Sequence, residues 1–251
     1  MGRFSGRRAW ITGADTPLGA ALAQALYGEG AALALSGVRR PPEGVEARCY
    51  PVNPVDDEHA ARALEGFGPL DYLVHAAGHV RRAAIADCPV EIWEEELAAN
   101  LTTGWCAFRA AARAIGPERG GAMLIMGSIH DEKPTGCAFT YSVAQGALAM
   151  MMREASLDYG RLGIRVNMVE AGPLPEDAER FHSEISGIYD TLETKIPRGR
   201  AASFRELTEP ALFLLSDAAA YINGAALRVD GGFIGYYGDG DSKRRWENGY
   251  A

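Results

Sequence analysis

The chain has 251 residues, of which 47% are hydrophobic and 23% charged, and its formal net charge is −8. This length and composition can bury one sizeable core and predict a single domain over residues 1–251. The acidic balance argues against a phosphate-backbone binder, which needs a clustered basic face, so nucleic acid is not an expected partner.

Short apolar runs alternate with longer amphipathic segments in the first part of the chain. The run "RRAWITGA" predicts a strand that ends in a glycine-containing turn. The segment "LGAALAQALYGEG" repeats apolar residues at helical spacing and stops at Gly28 and Gly30, and "AALALSG" is again a short apolar run. These three segments predict a β-α-β unit.

The same alternation continues to the end of the chain. Strands are predicted at "LDYLVHAAG", "GGAMLIMGS", "GIRVNMVEAGP" and "AALRVDGG", and long helices at "VEIWEEELAANLTTGWCAFRAAARAIG" and "FTYSVAQGALAMMMREASLDYG". Strands that alternate with helices require crossover connections. The expected fold is therefore α/β, a Rossmann-like doubly wound parallel sheet in three α/β/α layers, with ligands beyond the carboxyl ends of the strands.

Two segments depart from the alternation. Residues 172–202 mix Pro, Gly and weakly amphipathic turns between a strand end and the next helix, and they form either a substrate lid or a plain surface excursion. The tail 234–251 mixes aromatic and charged residues, and it either packs on a neighbouring subunit or frays.

Compartment and redox state follow from what the sequence lacks. The four cysteines are scattered without a CxxC pair, so neither a disulfide framework nor a metal site is expected. The first fifteen residues contain no apolar leader segment, and no run of about eighteen apolar residues occurs. A cytoplasmic location without membrane association is therefore predicted.

The turn "TGADTPLG", residues 12–19, follows the first strand and opens the first helix. Unpaired backbone N–H groups and the helix dipole at such a position can receive a pyrophosphate, and glycine allows close backbone approach. The turn therefore predicts a nucleotide site. Its candidate cofactor-binding residues are Gly13, Asp15, Thr16, Pro17, Leu18 and Gly19.

Collinear motifs along the chain resemble those of the short-chain dehydrogenase/reductase family, from about Gly6 to Phe233. The turn resembles the family's TGxxxGxG, "HAAG" (75–78) its NNAG, Asn100 its helix asparagine, and Ser128 with Tyr141 its catalytic pair. The later strands resemble the family's as well. The resemblance implies a nicotinamide cofactor, bordered also by Ala76, Ala77, Gly78, Gly172 and Pro173.

The resemblance also implies catalytic roles. Tyr141 exchanges a proton with the substrate oxygen, Ser128 positions that oxygen, and Asn100 holds a water in the proton relay. The family's lysine, which binds the nicotinamide ribose, is replaced by Gln145. An amide can still donate to a ribose hydroxyl, but it carries no charge.

The lost charge has a directional consequence. A cation about 5 Å from a phenol oxygen, at an effective dielectric near 20, is worth roughly 3 kcal/mol. Without it the Tyr141 phenol stays protonated at neutral pH, which favours carbonyl reduction over alcohol oxidation.

Cofactor choice is predicted from the residues after the second strand. In "LALSGVRR", Gly37 stands where NAD-preferring relatives carry an acid. Arg39 and Arg40 offer guanidinium partners to a 2′-phosphate, so NADP is expected, with NAD possible. The alternative is that both arginines are solvated loop charges.

Other departures leave a second interpretation open. Pro17 replaces a glycine, Pro51 replaces an aspartate that relatives use near the adenine unless Asp56 takes its place, His75 replaces an asparagine, and Ala171 a proline. Together with the amide at position 145, these losses also fit a family member without redox chemistry, either a dehydratase or isomerase or a binding subunit.

The loop "SIHDEKP" adds a candidate substrate contact. His130 stands two residues after Ser128, as in the similar "S-S-V-H-E" loop of the family's glucose and polyol branch. That similarity implies a contact between His130 and a hydroxylated small-molecule substrate. A proton-transfer role or a merely packed or solvated histidine is the alternative, and Lys133 is interpreted as a surface charge.

Family resemblance further implies a homo-oligomer, a tetramer or a dimer. Relatives commonly pair the helices that correspond here to residues 91–115 and 140–160, and pair the last strand as well. The run Met150–Met152 suits close packing between helices, although burial within one subunit explains it equally well.

Overall fold

Seven strands alternate with helices in the computed structural model, which describes residues 2–134, 136, 138–174 and 196–235. The strands are β1 (Arg8–Thr12), β2 (Ala32–Ser36), β3 (Ala47–Tyr50), β4 (Tyr72–His75), β5 (Gly121–Ser128), β6 (Ile164–Ala171) and β7 (Ala226–Val229). They form one parallel sheet in the order β3-β2-β1-β4-β5-β6-β7. The predicted Rossmann-like doubly wound sheet is confirmed.

Helices cover both faces of the sheet. They are α1 (Pro17–Gly28), α2 (Asp57–Leu64), α3 (Val90–Leu97), α4 (Thr103–Ile115), α5 (Phe139–Gly160) and α6 (Phe204–Leu215). One core lies between the sheet and α1 with α6, and a second lies between the sheet and α4 with α5. Successive residues of β1 serve the two cores in turn, since Trp10 belongs to the second and Ile11 to the first. This alternation explains why the strands are apolar throughout.

The helix predicted after β4 as one piece is divided. A π-helical turn, Ala98–Thr102, separates α3 from α4. Two side chains in this region bond the carbonyl four residues earlier: Asn100 Nδ2 donates to Glu96 O at 2.9 Å, and Thr103 Oγ1 donates to Ala99 O at 2.8 Å. Side chains that compete for these carbonyls disturb the regular α-helical pattern. The turn presents Asn100, which is fully buried, beside the end of β4.

Two elements between residues 37 and 69 carried no clear pattern in the sequence. β3 is a four-residue edge strand with no fully buried position, and α2 is an eight-residue helix capped by the Asp56 side chain, which accepts from His59 N. Both elements are too short to show the hydrophobic periodicity from which longer elements are predicted.

The strand order reverses between β1 and β4, where Thr12 pairs with His75. The turn after β1 and the segment after β4 are therefore neighbours at the carboxyl edge of the sheet, where doubly wound folds bind ligands. The candidate lid lies largely outside the described residues, but its base is closed by a bond from Ala202 N to Pro173 O of 3.1 Å. The tail beyond residue 235 also lies outside them. Among the described residues no helix could cross a membrane.

Candidate active site

The turn after β1 is built around two glycines that no other residue could replace without movement. A Cβ atom on Gly13 would lie 2.2 Å from Ala77 N, and Gly13 itself has φ of +77°. A Cβ on Gly19 would lie 2.0 Å from Gly13 O. The turn therefore packs against the end of β4 and folds back on itself, and both close approaches require glycine.

The first turn of α1 offers backbone donors at this point. Thr16 is the N-cap, and its Oγ1 accepts from Gly19 N at 2.9 Å. Pro17 is the first helical residue, where its missing N–H costs the helix nothing. Within the described part of the chain, the Leu18 N–H has no acceptor, so it faces the helix terminus as a donor for an anion.

The side chain of Asn53, which follows β3, links the turn after β1 to the end of β2, and no sequence motif predicted it. Gly13 N donates to Asn53 Oδ1 at 2.7 Å, and Asn53 Nδ2 donates to Asp15 Oδ1 at 3.2 Å. The Asp15 carboxylate lies over Gly37, because a Cβ on that glycine would lie 2.3 Å from Asp15 Oδ1. Asn53 carried no motif in the sequence, and its only signal is an amide shortly after a strand end.

Other predicted residues of the adenosine side are accounted for. Arg39 and Arg40 follow β2, are exposed, and form no ion pair with any described residue. Asp56, the acid considered for the adenine side, caps α2, and its bonds to His59 lower its pKa.

His75 is a packed histidine. It is fully buried at the end of β4, and its Nδ1 lies 2.7 Å from Thr12 Oγ1 on β1. Burial lowers its pKa to about 4, so the ring is neutral at physiological pH. It bridges two strands, as expected of a residue that replaces a structural asparagine, and its contacts give it no catalytic role.

Ser128, His130 and Tyr141 lie together at the end of β5. Ser128 is the last residue of the strand, and its Oγ accepts from His130 N at 3.3 Å. The His130 ring meets the Tyr141 ring edge to face, with centroids 5.8 Å apart. His130 Nδ1 lies 2.9 Å from Lys133 O, which selects the Nδ1–H tautomer and leaves Nε2 as an acceptor. The structure thus brings three of the predicted site residues together.

Gln145 lies one helical turn after Tyr141 on α5 and is 4% exposed. Its Oε1 is buried and has no hydrogen-bond partner among the described residues. A buried carbonyl oxygen without a donor is costly, on the order of 1–3 kcal/mol, unless a ligand or water supplies one. Gln145 Oε1 is therefore an acceptor to which a hydroxyl or amide group of a ligand could donate.

Asn100 belongs to the segment after β4. Its Oδ1 accepts from His79 N at 3.1 Å, and a Cβ on Gly78 would lie 2.5 Å from the same oxygen. Glu96, fully buried, lies beneath this segment: its Oε1 is 2.6 Å from His79 Nε2, and its Oε2 accepts from Arg81 N at 3.2 Å. The close contact to His79 is not aligned as a hydrogen bond. No motif in the sequence predicts this buried carboxylate.

An acidic pair lies below the His130 loop. Burial raises the pKa values of both Asp131 and Glu170, and the Asp131 charge raises that of Glu170 further, whereas a hydrogen bond with Glu170 opposes the rise at Asp131. Arg228 on β7 reaches the pair, since its Nε lies 3.3 Å from Glu170 Oε2 while its Nη2 contacts Glu132. The pair lies on the α5 side of the sheet, because Glu170 shares its face with the residues Val166 and Met168 of the second core.

Gly172 and Pro173 directly follow β6. A Cβ on Gly172 would lie 2.5 Å from the Cα atom of Asp230, so glycine is required for the approach of β6 to the residue after β7. Pro173 carries the carbonyl that closes the base of the candidate lid. Both residues lie at the carboxyl edge.

These features fit a dinucleotide of the nicotinamide type. The two glycines and the Leu18 N–H could bind a pyrophosphate. Gln145 Oε1, an acceptor without a partner within the described residues, could accept a hydrogen bond from a ribose hydroxyl. A cavity of about 610 Å³ lies instead at the amino edge of the sheet, lined by Arg7, Asp71 and Arg119. The Asp71 carboxylate there is already paired with Arg7 and Arg119, and the cavity lies at the opposite edge from the predicted site residues.

Comparisons with known proteins agree with this geometry. A family model described as enoyl-(acyl carrier protein) reductase matches residues 13–234. D-threitol dehydrogenase of Mycolicibacterium smegmatis is 31% identical, with 92% of this chain and 94% of that protein covered. A short-chain dehydrogenase/reductase from Serratia marcescens matches with a TM-score of 0.81 and 26% identity over 92% of this chain and 99% of that one. A gluconate 5-dehydrogenase from Burkholderia cenocepacia, solved with NADP and tartrate, matches with a TM-score of 0.85 and 28% identity over 94% and 98%.

Proposed function

The chain belongs to the short-chain dehydrogenase/reductase family and is an NAD(P)-dependent oxidoreductase, and from this premise we propose that it reduces a carbonyl group on a small hydroxylated substrate with NADP(H) as the preferred cofactor. The relatives act, by their names, on a tetritol and on gluconate. A polyol- or sugar-derived ketone is the substrate class that these names and the His130 loop favour.

The observation that carries the proposal is the Gln145 Oε1 atom, which has no hydrogen-bond partner within the described residues. It is buried beside Tyr141, and a ribose hydroxyl of the bound cofactor would supply its missing donor. When bound, the reduced cofactor supplies a hydride. Gln145 then orients the ribose without adding charge, in contrast to the lysine that it replaces.

The remaining residues handle the substrate oxygen. Position 145 supplies no cation that would favour the Tyr141 phenolate, and the phenol is the group that would donate a proton to the oxygen that becomes the alcohol. Ser128 holds that oxygen by a hydrogen bond. The Nε2 acceptor of His130 takes a substrate hydroxyl, and Asn100 holds the water that returns the proton to Tyr141.

NADP preference rests on Arg39 and Arg40. Both are exposed and free of ion pairs within the described residues, so neither must break a contact to receive a 2′-phosphate. Arginine is the side chain best suited to that group, because its planar fork bonds phosphate oxygens in pairs.

Cofactor titration tests the proposal most directly. Nicotinamide fluorescence is expected to report micromolar binding of NADPH and weaker binding of NADH. Gln145→Met has a similar volume and lacks the unpaired oxygen, so it is expected to lose about five-fold or more in NADPH affinity without loss of stability. If the purified protein binds neither cofactor, the proposal fails and a family member without redox chemistry, which the named relatives do not favour, takes its place.

Activity is tested next with a panel of hydroxyketones and sugar-derived ketones. Oxidation of NADPH is expected for at least one member, with Tyr141→Phe inactive. Binding of NADPH without turnover on simple, hydroxylated or acyl ketones would contradict the reductase proposal while leaving the cofactor site intact.

Assembly as a homo-oligomer is part of the same proposal. Val143, Met150 and Leu157 are 45%, 53% and 75% exposed and stand seven residues apart on α5, and Trp105 on α4 is 49% exposed. Such a stripe on neighbouring helices suits a second copy of the chain. Light scattering of the purified protein is expected to give a dimer or tetramer, and Met150→Glu a smaller species.

A further inference from the structure

The acid missing after β2 is replaced in space by an acid from the turn after β1. Gly37 has φ of +96° and follows β2 directly, and the position of its absent Cβ is 2.3 Å from Asp15 Oδ1. The carboxylate of Asp15 thus fills the volume that a side chain at residue 37 would take. In dinucleotide-binding folds an acid at this end of the second strand accepts the adenosine ribose hydroxyl.

Asn53 fixes the carboxylate in that place. Its amide is oriented by two bonds at once, from Gly13 N to Oδ1 at 2.7 Å and from Nδ2 to Asp15 Oδ1 at 3.2 Å. The second carboxylate oxygen of Asp15 has no partner among the described residues, and the residue is exposed. One acceptor oxygen is therefore held at the turn and remains available.

No cation neutralises this carboxylate in the described part of the chain. Arg39 and Arg40 lie beyond Gly37, and neither comes within ion-pair distance of Asp15. A 2′-phosphate at this end of β2 would meet the Asp15 charge and the two guanidinium groups together. A ribose 2′-hydroxyl would meet only a suitable acceptor.

We propose that Asp15 is a second determinant of cofactor choice, which accepts the adenosine ribose 2′-hydroxyl of NAD(H) and opposes the 2′-phosphate of NADP(H), so that the chain uses both cofactors. This inference rests on the proposed cofactor site and adds to it a residue that acts against Arg39 and Arg40. It also explains the glycine at position 37, since any side chain there would displace the carboxylate.

Asp15→Asn tests the charge alone, because the amide oxygen can still accept from Asn53. NADH affinity is expected to fall about ten-fold, the loss of one hydrogen bond to a charged group. NADPH affinity is expected to rise about three-fold as the repulsion disappears. Both dissociation constants are measured by fluorescence titration at fixed ionic strength, and Asp15→Ser should shift their ratio in the same direction.

Glu46→Gln is the matched control. It removes the same charge from an exposed residue just before β3, and this residue forms no ion pair within the described part of the chain. Its ratio of NADH to NADPH affinity is expected to equal that of the unchanged protein.

Two results would overturn the inference. An unchanged ratio in Asp15→Asn, or an equal change of both affinities, would show that Asp15 does not read the ribose, while the cofactor site would stand. Binding of neither cofactor by the unchanged protein would overturn the proposed function and this inference together.

Discussion

The two edges of the sheet differ in whether their buried polar atoms have hydrogen-bond partners within the described residues. At the amino edge, Asp71 is 1% exposed, and its carboxylate accepts from the side chains of Arg7 and Arg119 and from Arg8 N at 2.8–3.2 Å in its closest bonds. At the carboxyl edge lie all the buried side-chain atoms that lack a hydrogen-bond partner within the described residues, namely His75 Nε2, Glu96 Oε1, Asp131 Oδ1 and Gln145 Oε1.

This contrast separates stability from function within one sheet. At the amino edge, the bonds of the Asp71 carboxylate to Arg7, Arg8 and Arg119 contribute to folding. At the carboxyl edge, Glu96 Oε1 lies 2.6 Å from His79 Nε2, whereas Gln145 Oε1 has no partner within the described residues. We propose that a bound cofactor supplies the donor that Gln145 lacks there.

The largest expected effect breaks the carboxyl edge alone. Tyr141→Phe removes the proposed proton donor and is expected to lower the rate of carbonyl reduction by about 10²–10⁴-fold. NADPH affinity is expected to change little, because the phenol acts on the substrate. Steady-state kinetics and fluorescence titration measure the two quantities.

Tyr159→Phe is the control for this variant. It removes a phenol from the far end of the same helix, and activity is expected to be unchanged. Equal losses in both variants would mean that the effect comes from the helix and not from the site.

The amino edge is tested by Asp71→Ala. Loss of the shared acceptor leaves Arg7 and Arg119 unpaired and the Arg8 N–H without its partner, so the free energy of unfolding is expected to fall by about 3 kcal/mol. Urea denaturation measures the change. Activity per folded molecule is expected to stay the same.

Asp217→Ala, an exposed acid at the rim of the same cavity, is expected to leave stability within about 0.5 kcal/mol. If Asp71→Ala abolished NADPH binding in a folded protein, the assignment of stability to the amino edge and of cofactor binding to the carboxyl edge would be wrong.

Restoring the missing charge sharpens the comparison. Gln145→Lys adds a cation near Tyr141, which is worth roughly 3 kcal/mol and is expected to raise alcohol oxidation at pH 7 by up to about 100-fold. The rate of oxidation is also expected to reach its plateau at lower pH. An unchanged rate together with an unchanged pH profile would argue against the proposed role of position 145.

The smallest expected effect concerns the pH dependence of stability. The folded-state pKa of Glu170 is raised by burial and by Asp131, with Glu132 adding to the rise and Arg228 opposing it. A raised pKa means that this stability is fully present below the unfolded value near 4.5 and is lost as pH rises through the folded value.

Glu170→Gln is therefore expected to flatten the decline of unfolding free energy from about pH 4.5 upward, by about 1 kcal/mol for each unit of pKa shift that is removed. Urea denaturation at several pH values measures the slope. A slope as steep as that of the unchanged protein would exclude Glu170 as its source. Glu206→Gln is the control. Arg200 lowers the pKa of Glu206, so this group affects stability below pH 4.5, and the slope above that pH is expected to stay unchanged.

Residues with a local pattern could be placed from the sequence. The alternation of apolar runs and amphipathic segments predicted every strand except β3, as well as the long helices, and the glycines at 13 and 19 predicted a tight turn after β1. Both signals depend on neighbours in the chain. The π-helical turn at Asn100 was not predicted, because the side-chain bonds that accompany it do not alter the hydrophobic periodicity of the segment.

Residues whose role depends on distant partners could not be placed. Asn53 orients Asp15 only because β3 lies beside β2, and Glu96 is buried only because the segment after β4 folds over α3. In the sequence, His75 was recognised only as a replacement for a motif asparagine. In the structure, its contact with Thr12 links β4 to β1.

The sequence by itself determined the layered α/β fold, the family and the replacement of a cationic residue by Gln145, because periodicity, glycine spacing and residue identity are local properties of the chain. Only the tertiary structure decided which polar groups are paired, that no described residue donates to the Gln145 oxygen, and that Asp15 lies where residue 37 has no side chain. Hydrogen bonding and burial are set by groups that lie far apart in sequence, and the crossing of strands brings them together.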